Sequence, residues 1–303
     1  MRKITLLFSI LLIGAIGTSC SQGGGKKKDK NKKKDKEKTE SAEAVESSGS
    51  APYDFTRPQK FDMPTELLEI SGIAFNNGDN SIIYAEQDED GNIYSFKPGD
   101  KNPKVARFGK HGDYEDVAIG NGYAVILRSD GEFRTFPLSE VASGNIQSQK
   151  IIKGLVPAGE YEGLHFDNLT QKLYVLCKQC AGQDHSKECG VYALNLAKDG
   201  GLTKYRDYSI DVTGISDAKK KKFKFHPSAL ARNPTTKEWY ILSSVNKMVV
   251  VTDENWKIKT SYPLGKEFLQ PEGMAFDNQG NLYISNEGDK ATNGNILLFK
   301  HTE

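Results

Sequence analysis

Beyond residue 53 the apolar positions of this chain fall in short runs of two-residue period. Turn-forming residues separate them, and no run sustains the period of a long amphipathic helix. Five runs share an aromatic–aliphatic pattern: "SIIYAEQ", "YAVILRS", "KLYVLCK", "EWYILSS" and "NLYISNE". A shorter apolar run and a turn rich in Asn, Gly and Asp stand before each one. After a further turn comes a third run: "NIYSF", "EFRTF", "GVYALNL", "KMVVVTD" and "NILLF". A fourth, less regular run ends the unit, as in "KVARFG" and "KTSYPLG". Alternation with β-branched and aromatic enrichment predicts strands throughout.

The shorter run opens on an echo: "EISGIAF" at 69–75, "DYEDVAI" at 113–119, "YEGLHF" at 161–166 and "QPEGMAF" at 270–276. Aligned on the small residue and apolar pair, five copies start at Ser71, Glu115, Glu162, Ser228 and Glu272, in steps of 44, 47, 66 and 44 residues. A period in the forties with four strands per unit predicts propeller blades. The expected fold is therefore all-β: a five-bladed β-propeller of four-stranded antiparallel blades. Six blades with one degenerate is the competing count, and the chain length fits five better. The last unit lacks a fourth strand. The segment "PQKFDMP" at 58–64 can supply it and close the ring, which removes exposed sheet edges.

In a propeller the first strand of every blade lines the central channel, so the repeated motif forms a ring at one mouth. That ring reads Ser71, Glu115, Glu162, Ser228, Glu272, with Glu69, Asp113, Glu160, His226 and Gln270 two residues earlier. The second strands end at the same face, near Asp88, Arg128, Lys178, Ser244 and Glu287. Crowded glutamates repel. A cation relieves that repulsion, and hard oxygen ligands suit calcium or magnesium. Glu115, Glu162, Glu272, Glu69 and Glu287 are the candidate metal ligands, with Asp88, Arg128, Lys178 and Asn286 around the ligand mouth. Two arrangements satisfy the glutamates without a cation. Arg128 and Lys178 can pair with them internally, or the glutamates can cap backbone amides between blades. The glycines after the ring position (Gly72, Gly163, Gly273) fit close backbone approach near the axis.

The N-terminal segment changes the charge picture. "MRKITLLFSILLIGAIGTSC" has a basic start, an apolar stretch from Ile4 to Ile16 and small residues before Cys20, the pattern of a secretory signal over 1–20. Gly17-Thr18-Ser19-Cys20 resembles a bacterial lipobox, with Cys20 as the lipidation site and a lipid that would anchor the chain to a membrane without spanning it. Residues 21–52 are lysine-rich, then Ser- and Glu-rich, and read as a disordered tether. The whole chain carries +1, but about 30 basic and about 34 acidic side chains remain for the propeller domain at 53–303. That mildly acidic balance argues against a nucleic-acid partner. The expected location is the bacterial cell envelope, outer membrane rather than inner, with the domain in the periplasm or on the cell surface.

The long third step holds "CKQCAGQDHSKECG". Cys177, Cys180, His185 and Cys189 approach a zinc-knuckle spacing. An exported chain meets oxidising conditions, which favour a disulfide. Cys180–Cys189 is the expected pair, with Cys177–Cys189 as the alternative. "DAKKKKFKF" at 217–225 reads as an exposed basic loop between the third and fourth blades.

From about residue 60 onward, "EISGIAF", "YEGLHFD", "FHPSALARNP", "WYILSSVNKMVVVTD" and "QPEGMAFDNQGNLYISNEGD" resemble the SdiA-regulated family of bacterial envelope proteins. The resemblance implies a five-bladed propeller distantly related to NHL repeats, with a calcium site at the propeller and no settled biochemical activity. Three functions follow as expectations. The first is a calcium-braced module that binds or senses a small ligand or an envelope protein. The second is a metal-dependent hydrolase, lactonase or phosphoesterase, with His226 as the acid–base residue. The third is a ligand-free scaffold. No nucleophile–base–orienter set is apparent, which favours the first.

Overall fold

The computed structural model describes residues 51–215 and 223–301. The signal segment, Cys20 and the tether up to residue 50 lie outside the described residues, as does most of the basic loop at 217–225.

The described residues form five four-stranded antiparallel sheets. The first comprises β2 (Ile70–Asn76), β3 (Asp79–Gln87), β4 (Asn92–Phe96) and β5 (Lys104–Arg107). The second is β6 (Tyr114–Gly120), β7 (Tyr123–Arg128), β8 (Phe133–Pro137) and β9 (Lys150–Ile152), with a short helix α1 (Leu138–Ser143) before β9. The third is β10 (Gly159–Asp167), β11 (Lys172–Cys180), β12 (Glu188–Leu196) and β13 (Leu202–Asp211). The fourth is β14 (Ala229–Arg232), β15 (Trp239–Ser243), β16 (Met248–Thr252) and β17 (Ile258–Pro263). The fifth is β18 (Pro271–Phe276), β19 (Leu282–Asn286) and β20 (Asn295–Phe299), and β1 (Gln59–Asp62) pairs along the outside of β20 with Gln59 opposite Leu298. The protein is thus an all-β propeller of five blades.

The apolar residues of each blade are buried against the next. One core cluster joins the fifth and first blades through Ile73, Ile83, Tyr283 and Ile296. Another joins the third and fourth through Tyr174, Val191, Trp239 and Trp256. Trp239 and Trp256 stack with centroids 4.5 Å apart. Ahead of β1, Tyr53 and Phe55 fill the core between the fourth and fifth blades, and the Tyr53 hydroxyl donates to the Gly280 carbonyl at 2.7 Å.

The glycines of the motif lie where inner strands meet backbone to backbone. A Cβ on Gly72 would sit 2.6 Å from the Asp116 Cα, and one on Gly273 would strike the Ser71 carbonyl. Larger residues there would push blades apart.

The long step reflects both longer strands in the third blade and a long segment between the end of β13 at Asp211 and the start of β14 at Ala229. Its cysteines pair differently from the expectation. The disulfide joins Cys177 to Cys180, with Cα atoms 6.0 Å apart, and Cys189 is a buried free thiol. Neither Cys180–Cys189 nor Cys177–Cys189 forms. On a regular strand, residues three apart lie about 10 Å apart on opposite faces. Here the register shifts beside Lys178: Tyr161 stands opposite Cys177 and Glu160 opposite Gln179. This bulge restores the two cysteines to bonding distance. It also removes two thiolates from any zinc knuckle with His185 and Cys189.

Candidate functional site

Three side-chain-to-backbone bonds tie the motif copies together across blades. Ser71 Oγ donates to the Glu115 carbonyl at 2.9 Å, joining the first blade to the second. Asp116 Oδ2 accepts the Leu164 N–H at 2.6 Å, joining the second to the third. Ser285 Oγ donates to the Ser71 carbonyl at 2.5 Å, joining the fifth to the first. Within the first blade, buried Glu86 accepts the Gly72 N–H at 2.6 Å. A brace between blades at the motif therefore exists. Asp116, the residue after the ring glutamate, supplies its carboxylate, where the sequence pointed to the glutamates.

The ring glutamates themselves turn toward the mouth. Between the second and third blades lies a cavity of about 350 Å³ lined by Asp113, Glu115, Asp130, Glu160 and Glu162, with Lys178 as the one basic side chain on its wall. Lys178 forms an ion pair with Glu162. Arg128 does not join it: its guanidinium is engaged by Asp130, with Nε 2.9 Å from Oδ1, and lies 3.4 Å from Glu132.

This crowding shows in the protonation of the ring. Burial, with repulsion from Glu162 and Asp113, pushes Glu115 up to about 9. Burial and the neighbouring Glu272 and Asp88 raise Glu287 to about 8. Burial raises Glu162 to about 7 in spite of Lys178. Glu272 also lies above its ordinary value through burial, although the Ser228 and Ser244 hydroxyls oppose this. Asp88 rises to about 6 through burial and the charge of Glu69. Glu69, Asp88 and Glu287 thus form the first- and fifth-blade side of the rim, where Gln270 hydrogen-bonds Glu287.

Three buried oxygens near this mouth have no hydrogen-bond partner: Glu86 Oε2, Asp88 Oδ1 and Asn286 Oδ1. The Asn286 oxygen and an ionised Asp88 are acceptors that a donor or a cation would complete, whereas burial holds Glu86 well above the ordinary carboxylate range, so its free oxygen can carry a proton. Among the described residues no three His, Cys, Asp or Glu side chains already converge as a metal centre. Zinc's closed tetrahedron does not fit so open a ring. Calcium's larger oxygen shell, which accepts water and carbonyl ligands, demands less of the geometry. His226 stands on the third- and fourth-blade side with its ring 6.4 Å from that of His185. Burial and then His185 lower its proton affinity.

A feature not anticipated from the sequence lies at the other end of the channel. A second cavity, also about 350 Å³, is bounded by the last residues of the inner strands and the turns after them, with His165, Asp167 and Arg232 on its wall. Its signal was present in the recurrence of Phe75-Asn76, Phe166-Asp167 and Phe276-Asp277 at the strand ends.

A family model of SdiA-regulated proteins matches residues 68–290. The chain belongs to the SdiA-regulated family. No curated protein matches it. Among solved structures, the glutaminyl cyclase of Myxococcus xanthus is 13% identical, with 81% of this chain and 96% of that one covered and a TM-score of 0.53. A luciferin-regenerating enzyme is 11% identical over 80% of this chain and 95% of its own, with a TM-score of 0.52. The aldose sugar dehydrogenase of Streptomyces coelicolor, in its PQQ-bound form, is 11% identical over 80% and 98%, with a TM-score of 0.50. At such identities these likenesses speak to the propeller alone.

Proposed function

We propose that this SdiA-regulated protein is a binding module of the bacterial envelope, anchored by a lipid on Cys20. Its acidic mouth takes calcium and, so braced, presents a surface to a small ligand or an envelope protein. The observation that carries the reading is the cavity between the second and third blades, where five carboxylates face one lysine. Glu115, Glu162 and Glu272 would hold the ion, with Glu69, Asp88 and Glu287 on the rim and Asn286 offering an unpartnered amide oxygen. A loose oxygen ring of this kind suits the weak affinities of extracellular calcium modules, on the order of 10⁻⁴–10⁻³ M. Bound calcium would displace the protons that the ring carries and leave its charges compensated.

The test is calorimetric titration of the full chain, stripped of metal, with calcium, magnesium and zinc at pH 8. The proposal expects a saturable calcium signal that Glu115→Gln and Glu272→Gln each weaken at least fivefold, with zinc no tighter than calcium. A titration flat for all three ions would overturn it and leave the ring as a proton-loaded element of the fold.

A further inference from the structure

The cavity at the opposite end of the channel differs in chemistry from the acidic mouth. Its charges cancel. Asp167 and Arg232, both with side chains 6% exposed, pair at 2.7 Å. The second Asp167 oxygen accepts the Leu169 N–H at 3.1 Å, and Thr170 adds its hydroxyl at 2.6 Å to the oxygen that meets Arg232. Asp277 is equally saturated, by the Asn80 and Asn281 amides at 2.8 Å and by the Asn281 N–H. Lys237 is turned onto the Pro234 carbonyl.

The His165 imidazole faces this cavity, alongside the amides of Asn77, Asn168 and Asn278 at the turns. The His165 ring stands edge-on to Trp239, with centroids 5.7 Å apart, and makes no side-chain hydrogen bond among the described residues. Burial lowers its proton affinity to about 4, so at neutral pH it is an uncharged imidazole with one N–H donor and one acceptor nitrogen. The wall is mixed: Ile119, Phe166, Met274 and Phe276 supply apolar surface, and the turn amides and the paired charges supply the rest. Leu169, on the turn at the rim, is 61% exposed, an apolar side chain in open solvent beside the entrance.

We propose that this cavity binds a small uncharged organic molecule: an apolar ring or chain packed on Phe166, Met274 and Phe276, with one neutral hydrogen-bonding head, such as an amide, alcohol or lactone, on His165. A charged ligand would lose its water without gaining a counter-charge, because Asp167 and Arg232 already neutralise each other. The size is at the low end of the roughly 300–1,000 Å³ of small-molecule sites. The site is independent of the acidic mouth and of any cation there.

Three molecules of one shape separate the possibilities: benzamide, benzoate and benzylammonium, each titrated into the full chain by NMR. Benzamide is expected to bind saturably in the millimolar range and to shift the His165 ring and Trp239 indole resonances. The two ions should bind at least tenfold more weakly. His165→Leu, which keeps the volume and removes both polar atoms, should weaken benzamide at least fivefold, as should Leu169→Asp at the exposed rim. Excess calcium should change none of these values. Absence of saturable benzamide binding, equal binding of either ion, or wild-type affinity in both variants would each overturn the proposal.

Discussion

The carboxylate of Asp116 reaches out of the second blade to accept the Leu164 N–H of the third at 2.6 Å, while its other oxygen accepts the Val117 N–H at 2.7 Å. Two buried amides depend on one side chain. Asp116→Ala leaves both unpaired, and an unsatisfied buried donor costs about 1–3 kcal/mol. We expect a loss of about 2–4 kcal/mol in urea unfolding, with Asp116→Asn costing less because its amide oxygen still accepts one bond. Ser285→Ala, which removes one neutral hydrogen bond, should cost about 1 kcal/mol. Equal stability of Asp116→Ala and wild type would show that the fold does not depend on the brace.

The proton-loaded ring sets a pH dependence. Glu115, Glu287 and Glu162 hold protons to about 9, 8 and 7 in the folded protein, against an ordinary 4.5. The native state therefore binds more protons than the unfolded chain, and stability falls as pH rises through this range. Neutral His165 pulls the other way, but only below its ordinary 6.5. Metal-free protein should show a melting temperature that declines steadily from pH 6.5 to 9. A flat or rising curve would contradict the crowding of the mouth.

Calcium must compete with those protons. Its apparent affinity should rise from pH 6.5 to 9, and binding at pH 7 should release protons, seen as buffer-dependent heats in calorimetry. Glu115→Gln should blunt the pH dependence and raise stability at pH 9, because it removes the charge most penalised by burial and by Glu162. A pH-independent calcium affinity would place the ion elsewhere.

Lys178 is the counter-charge of Glu162 in the acidic cavity. Lys178→Met should raise the pH at which Glu162 titrates above about 7 and steepen the loss of stability at alkaline pH. The shift is measurable by carboxylate NMR, and no change in Glu162 titration would mean that the pair contributes nothing in solution.

Thiol chemistry separates the three cysteines of the third blade. Without reductant, an alkylating reagent should leave Cys189 unmodified in folded protein and modify it on unfolding, since it is fully buried. Peptide mapping should recover Cys177 and Cys180 linked to each other. A linked Cys189 would reverse the assignment.

The strand plan, the five blades and the nearness of Glu115 to Glu162 were legible because side-chain alternation and a repeat of about forty-five residues follow from burial alone. The pairing of Cys177 with Cys180 was not, because it depends on a one-residue bulge at Lys178 that leaves no trace in spacing. The same bulge sets Lys178 beside Glu162. Asp116 escaped notice because the matching position is Gly72, Gly163, Ala229 or Gly273 in the remaining copies, and only the meeting of β6 with β10 shows what its carboxylate reaches. The cavity around His165 was missed for a different reason. The turns after the inner strands looked like punctuation, and nothing local says that four of them enclose one space.

The pairing of β1 with β20 has a kinetic consequence. Gln59 and Leu298, at opposite ends of the described domain, are neighbours across one ladder. Contacts of such long sequence separation form slowly, because most of the chain's entropy is lost before they repay it. A nascent polypeptide can assemble its first four blades as it emerges, but the earliest strand must wait, unpaired, for the latest. Closure of the fifth blade is therefore the step expected to limit assembly, and until it forms the outer edge of β20 is open to another copy.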